Sequence, residues 1–145
     1  VSAAGGGCEQ CHNPHTADTG ALLRASSRTL CPECHDPGGA KSGNEGKHVS
    51  HGEGLECSTC HDPHGGDRPL LFADDPVQMC GACHSHEHSV SHPMGEGTAD
   101  PRNQQPLDCL SCHGLHDAPY ESYLRKSQQR ELCVSCHKDL AGGRR

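Results

Sequence analysis

Cys57-Ser58-Thr59-Cys60-His61-Asp62-Pro63-His64 is the stretch on which the reading of this chain turns. Two cysteines stand three positions apart, a histidine follows the second directly, and another histidine comes three residues later. The pentad C-x-x-C-H is the attachment signature of c-type haem: the two thiols add to two vinyl groups, and the adjoining histidine is held against one face of the iron. The pentad occurs six times, at Cys8–His12, Cys31–His35, Cys57–His61, Cys80–His84, Cys109–His113 and Cys133–His137. All 12 cysteines are used in this way: Cys8, Cys11, Cys31, Cys34, Cys57, Cys60, Cys80, Cys83, Cys109, Cys112, Cys133 and Cys136. The expected cofactor is therefore six covalently attached haems c.

Two other cysteine chemistries compete with this reading. A disulfide framework closes long loops, whereas each pair here closes a loop too small to stabilise much. Zinc ribbons do pair C-x-x-C motifs at comparable spacing. Zinc gives no reason for a histidine directly after every second cysteine, and that histidine is present in all six pentads.

The remaining composition explains why a cofactor is needed at all. With one Phe, no Trp, two Tyr, 18 Gly and 10 Pro, and 31% apolar residues, the chain has too little to build a side-chain core. About 24 residues serve each pentad, so most side chains must lie near a haem. The sequence predicts a haem-cored fold, mostly coil with short α-helices and little or no β, that does not form without its haems. The formal charge of −7 and the absence of a basic run argue against nucleic-acid binding. No stretch approaches the ~20 apolar residues of a membrane span. Val1-Ser2-Ala3-Ala4-Gly5 reads as the mature end left by leader cleavage. An extracytoplasmic location is expected, with the cell exterior preferred over the periplasm.

The first cysteines of the pentads, at 8, 31, 57, 80, 109 and 133, are separated by 23, 26, 23, 29 and 24 residues. Short and long gaps alternate, which divides one domain, 1–145, into three two-haem repeats at about 8–50, 57–92 and 109–145, a linear array. Each repeat opens with C-x-x-C-H-x-x-H, continues with an apolar doublet (Leu22-Leu23, Leu70-Leu71, Tyr123-Leu124), and places an apolar residue (Leu30, Met79, Leu132) before its second pentad. Asp75-Pro76 predicts a helix through the fourth pentad. Ser127 opens another that stops at Gly142-Gly143. Pro14 and Pro63 limit any helix at the first two of the opening pentads to a single turn. Residues 36–56 and 93–108 read as loops.

The histidines number 14. His12, His35, His61, His84, His113 and His137 are proximal ligands by position. Six irons need six more imidazoles, and eight histidines remain. His15, His64 and His116 each follow a proximal histidine by three residues, too close to reach the far face of the same iron, so each is expected on a neighbouring one. His51 and His92 share the text Val-Ser-His and are expected as two further distal ligands. One of His48, His88 and His86 completes the set. Repeat one has no histidine upstream of Cys8, so one iron lacks an obvious partner within the chain. Met94 is a weaker ligand candidate, and Met79 reads as packing.

The motifs at Cys8–His15, Cys57–His64 and Cys109–His116 resemble those of the doubled-C-x-x-C-H multihaem cytochromes. The similarity covers about residues 8–137. Repeat three departs from the other two in having Gly114-Leu115 where they have Asn13-Pro14 and Asp62-Pro63. The resemblance implies low-spin bis-histidine haems in stacked and T-shaped pairs, serving as an electron conduit. Some similar small cytochromes polymerise into extracellular filaments.

The function expected is electron transfer, by hopping along six closely stacked bis-histidine haems, with no catalysis. The preferred form is a subunit of an extracellular filament, self-associating through an axial histidine donated between subunits and passing electrons to redox partner proteins or extracellular acceptors. The alternatives are a soluble monomeric periplasmic shuttle and, more remotely, a haem reductase with one open axial site.

Overall fold

The computed structural model describes residues 7–15, 19–36, 54–84, 91–116 and 118–142. Backbone contacts divide the chain into two compact units, Val1–Asp75 and Pro76–Arg145, and the division falls between the two pentads of repeat two. As expected from the composition, the chain is mostly coil, with short helices and one two-stranded sheet. Among the described residues four apolar side chains are buried: Leu30, Leu107, Ala118 and Leu124. Leu22, Leu70, Leu71 and Leu140 stand exposed. A chain of this length normally buries well over half the surface it exposes when unfolded, so these four side chains are not the interior that holds it together.

One local fold recurs in all three repeats. Single 3-10 turns form at Cys8–Gln10, Cys57–Thr59 and Cys109–Ser111. The chain then doubles back and makes an isolated antiparallel bridge, pairing His12 with Leu23, His61 with Phe72 and His113 with Leu124. The amide after each histidine donates to the carbonyl of Leu22, Leu71 or Tyr123 at 2.7, 2.7 and 2.8 Å. In return the second cysteine of each pentad accepts from Arg24, Ala73 or Arg125 at 2.9, 2.9 and 3.0 Å. The hydrogen-bond ladder fixes the register of the repeats. It aligns Leu22-Leu23 with Leu71-Phe72 and Tyr123-Leu124, so the apolar doublet of repeat two lies one residue later than the Leu70-Leu71 pair read from the sequence.

Each return is made by a tight turn with two consecutive residues in left-handed conformation: Ala21-Leu22 (φ 57° and 55°), Leu70-Leu71 (57° and 54°) and Ser122-Tyr123 (54° and 56°). A turn with positive φ at both central positions has the twist a tight hairpin requires, and Asn-Gly or Gly-Gly usually fills it. Side chains there cost about 1–2 kcal/mol per residue. The chain keeps side chains at all six positions.

In the first unit, α1 (Ser27–Leu30) runs into a 3-10 turn at Cys31–Glu33. The Ser27 hydroxyl donates to Glu56 Oε2 at 2.6 Å, the Arg28 amide donates to the same oxygen at 3.2 Å, and the Glu56 amide donates to Thr59 Oγ1 at 3.3 Å. One carboxylate thus ties the helix before the second pentad to the turn of the third.

In the second unit, α2 (Pro76–Gly81) begins with proline at its first position, where the missing N–H costs nothing. β1 (Gly95–Ala99) pairs antiparallel with β2 (Pro106–Leu107) inside the segment expected to be loop. Gly-Glu-Gly-Thr-Ala carries no alternating pattern, and what holds the hairpin is its turn. Asp100, 1% exposed, accepts from the Arg102 amide at 2.9 Å and from Arg102 Nε at 2.8 Å, and pairs with Arg102 Nη2. The same Nη2 donates to the Ser111 carbonyl at 2.6 Å, which docks the hairpin on the turn of the fifth pentad. α3 (Glu131–Cys136) starts four residues later than Ser127 predicts. Arg130 has φ −152°, and its guanidinium is drawn to the carbonyls of Leu140 and Ala141 at 3.1 and 2.7 Å. α3 stops at Cys136 rather than at Gly142, because His137 leaves the helical region (φ −92°, ψ 79°), and a separate 3-10 turn at Lys138–Ala141 then carries the chain to Gly142.

Candidate metal centres

All six pentads take up the same turn. The amide of the proximal histidine donates to the carbonyl of the first cysteine at 2.8 Å for His12, 2.9 Å for His35, 3.0 Å for His61, 2.9 Å for His84, 3.0 Å for His113 and 2.9 Å for His137. One helical turn brings residues three and four apart onto one face, so both thiols and the imidazole are presented from a single side. None of the twelve cysteines is in a disulfide. Among the described residues, no three His, Cys, Asp or Glu side chains converge as a tetrahedral metal site requires. Pairs of thiols on a turn, each followed by an exposed or half-buried imidazole, fit a planar macrocycle attached along one edge.

The first pentads also fix the orientation of the ring. Nδ1 of His12 lies 2.8 Å from the Ala21 carbonyl, Nδ1 of His61 lies 2.9 Å from that of Leu70, and Nδ1 of His113 lies 2.7 Å from that of Ser122. A carbonyl accepts only, so in each ring Nδ1 carries the proton and Nε2 is left as the metal donor. All three acceptors lie nine residues beyond the histidine, on the first residue of the left-handed pair. No residue type marks these carbonyls in the sequence; the constant nine-residue offset, seen when the repeats are superposed, is the signal that gives them. Phe72 is likewise unmarked, and its ring lies 5.2 Å from that of His61 at 19°. Arg125 is unmarked too, and its Nε donates to the Leu110 and His113 carbonyls at 3.0 and 2.9 Å. Arg24 holds the same place in repeat one and donates to the Gln10 carbonyl; repeat two has Ala73 there.

Thiols of different pentads lie close together within each unit. Burial pushes the Cys31 thiol up to about 11, helped by the charge of Cys57, a hydrogen bond between the two thiols, and the charge of Cys11. In the second unit burial raises Cys112, opposed by Arg102 and reinforced by Cys136. Groups that perturb one another's ionisation are near neighbours, so thiols of different pentads within a unit stand close together.

The distal candidates fall out as follows. The ring of His64 stacks against that of His12, with centroids 5.8 Å apart and planes 13° apart. The ring of His92 faces that of His137 at 6.2 Å and 61°. In the turn after the pentad, the His15 amide donates to Asn13 Oδ1 at 3.1 Å and the His64 amide to Asp62 Oδ1 at 2.9 Å. Gly114 in repeat three has no such acceptor, and that glycine is buried. His15 and His116 are exposed. The Met94 thioether lies 3.8 Å from the Cys109 thiol. His48, His51, His86 and His88 lie outside the described residues.

The profile of a family described by its doubled CXXCH motif matches the chain three times, over residues 2–40, 48–89 and 100–142, once for each repeat. No curated protein and no solved structure matches.

Proposed function

The chain belongs to the doubled CXXCH motif family and is a multihaem c-type cytochrome, and from that premise we propose that its six pentads hold six haems c, each iron between two histidines, as an electron conduit. The observation that carries this reading is the pentad turn, repeated six times with the same histidine-to-cysteine hydrogen bond. Haem bound at such a site supplies a one-electron couple at iron. The protein's part is to hold that iron still. Paired cysteines fix the macrocycle edge, and the proximal imidazole is steered by its carbonyl where the repeat provides one. A second imidazole on the far side leaves no coordination position for a substrate, which favours electron transfer over catalysis.

Within this reading the chain is a subunit of an extracellular haem filament. Three features support that form. The repeats run in one direction along the sequence, and the protein is too small to shield six haems. Third, His15 holds in repeat one the place that His64 holds in repeat two. His64 faces the first pentad of the preceding repeat. By the same rule His15 would serve an iron outside repeat one, and a second copy can supply it. The soluble periplasmic shuttle is the other form. Among the described residues no helix is long and apolar enough to cross a membrane.

Intact mass and a pyridine haemochrome spectrum test the first level: six haems are expected, and zinc without iron overturns the proposal. Carbon monoxide should not bind the reduced protein; binding would favour a reductase with an open site. Negative-stain microscopy tests the assembly. Filaments are expected, and monodisperse particles at every concentration would favour the shuttle.

A further inference from the structure

The return strands of the three repeats are anchored to their pentads by one shared backbone hydrogen bond. The amides of Arg24, Ala73 and Arg125 donate to the carbonyls of Cys11, Cys60 and Cys112 at 2.9, 2.9 and 3.0 Å. The backbone is alike at this position, and the charge it carries is not. The residues there are Arg24-Ala25, Ala73-Asp74 and Arg125-Lys126, and those after the proximal histidines are Asn13, Asp62 and Gly114.

In repeat three the Arg125 guanidinium lies on the pentad turn itself. Its Nε donates to the carbonyls of Leu110 and His113 at 3.0 and 2.9 Å, so it is bonded to the backbone of the proximal histidine. Among the described residues no carboxylate pairs with it. Asp108, the acid before Cys109, is turned to the Ser111 amide and hydroxyl at 2.8 and 3.1 Å. Arg102 also donates to this turn, at the Ser111 carbonyl, but its charge is offset by Asp100. In repeat one Arg24 donates to the Gln10 carbonyl and pairs with Glu33 at 2.6 Å, which cancels its charge and leaves Glu9 inside the pentad. In repeat two Arg68 reaches the Ala73 carbonyl at 3.1 Å and pairs with Asp74 at 3.1 Å. Arg28, which donates to the Leu55 carbonyl at 3.3 Å, offsets Glu56, and Asp62 remains beside His61. The fifth pentad is thus the least negative of the three opening pentads.

We propose that Arg125 is a positioning residue for the redox centre of the fifth pentad: a guanidinium without a carboxylate partner, held on the carbonyl of the proximal histidine, keeps that centre at a higher reduction potential than those of the first and third pentads. The inference rests on the haem reading given above. Reduction lowers the positive charge of a haem held by two neutral imidazoles by one. A cation fixed nearby therefore favours the reduced state, whereas a cancelled ion pair or an alanine does so little. Two hydrogen bonds hold the charge in one place, so its effect is not averaged over the positions of a free side chain. Arg125 is exposed, so salt weakens the effect. Among the three opening pentads, electrons collect first in repeat three.

The test is a reductive titration of the holoprotein followed by the haem-methyl proton resonances, on wild type, Arg125→Ala, Arg125→Lys and Ala73→Arg, with intact mass measured on each. Paired Cys→Ser changes at each opening pentad in turn identify which resonances belong to it. In the wild type the fifth pentad should be reduced before the first and third. At a fixed applied potential, Arg125→Ala should lower the reduced-to-oxidised ratio at the fifth pentad several-fold. Arg125→Lys should keep the ratio near the wild-type value, and Ala73→Arg should raise it at the third pentad. These shifts should shrink from low to high salt. An unchanged ratio in Arg125→Ala would overturn the proposal, and so would an equal fall in the alanine and lysine variants, which would make Arg125 a brace and not a charge. If Arg125→Ala loses a haem, Ala73→Arg decides: no rise at the third pentad overturns the proposal. Absence of haem from the wild-type mass would instead overturn the reading beneath it.

Discussion

The first and second pentads of a repeat share five defining positions and differ in what surrounds them. At Cys8, Cys57 and Cys109 the pentad is a lone 3-10 turn with its own return strand, which carries a carbonyl to the imidazole nine residues on. At Cys31, Cys80 and Cys133 the pentad lies at the end of, or inside, a helix, and the ring is placed by helix geometry. The one attachment chemistry is thus served by two scaffolds. One sets ring orientation and tautomer locally, while the other leaves the ring to be set by whatever faces it, as His92 faces His137.

Removing an attachment site of each kind should break the comparison most visibly. Cys57→Ser with Cys60→Ser should lose one haem by intact mass and open the return strand of repeat two to protease, because the 3-10 turn and the bridge at Phe72 depend on each other. Cys133→Ser with Cys136→Ser should lose one haem and leave the other pentads protected. Equal protease sensitivity in the two variants would mean that the scaffolds do not differ in self-sufficiency.

The bracing of the fifth pentad gives the next largest effect. Asp100→Ala strips a buried carboxylate from Arg102 and should cost about 3 kcal/mol in denaturant unfolding of the holoprotein, the range for breaking a buried pair. The same pair gives a pH signature. Hydrogen bonds from Arg102 hold the Asp100 carboxyl at about 2 against an ordinary 3.8. The pair's contribution is therefore fully present above the ordinary value and is lost as pH falls through about 2, a loss of about 2 kcal/mol that Asp100→Ala should abolish. In the first unit, the hydrogen bond from Ser27 lowers the half-buried Glu56 carboxyl, so its contribution is likewise lost on acidification, and Glu56→Gln should flatten the acid limb less than Asp100→Ala does.

Phe72→Ala sharpens the comparison within one repeat. It removes the ring stacked on His61 and should destabilise by about 1–2 kcal/mol, with broadened proton resonances of the third haem only. The smallest effect is expected at the left-handed turns. Ala21→Gly removes a strained side chain of little packing value and should be neutral or stabilising by up to about 1 kcal/mol. A clear loss of stability would show that the turn is not strained.

The sequence was most informative where chemistry demands fixed spacing. The six pentads and the threefold repeat could be read from residues alone. The hairpin at Gly95–Leu107 could not, because its strands carry no alternation and a single buried ion pair between Asp100 and Arg102 holds its turn. The doublet of repeat two was misplaced by one residue because hydrophobicity cannot tell Leu70-Leu71 from Leu71-Phe72, whereas a ladder of hydrogen bonds can.

The amino-acid order alone determined where the six pentads stand and that each presents two thiols and an imidazole together, because C-x-x-C-H spans five consecutive residues that one helical turn brings to one face. The tertiary structure alone decided which histidine faces which, at what angle, and which backbone carbonyl orients the ring. Those contacts join residues from 9 to 52 positions apart, and they depend on how the chain turns back on itself rather than on any local preference.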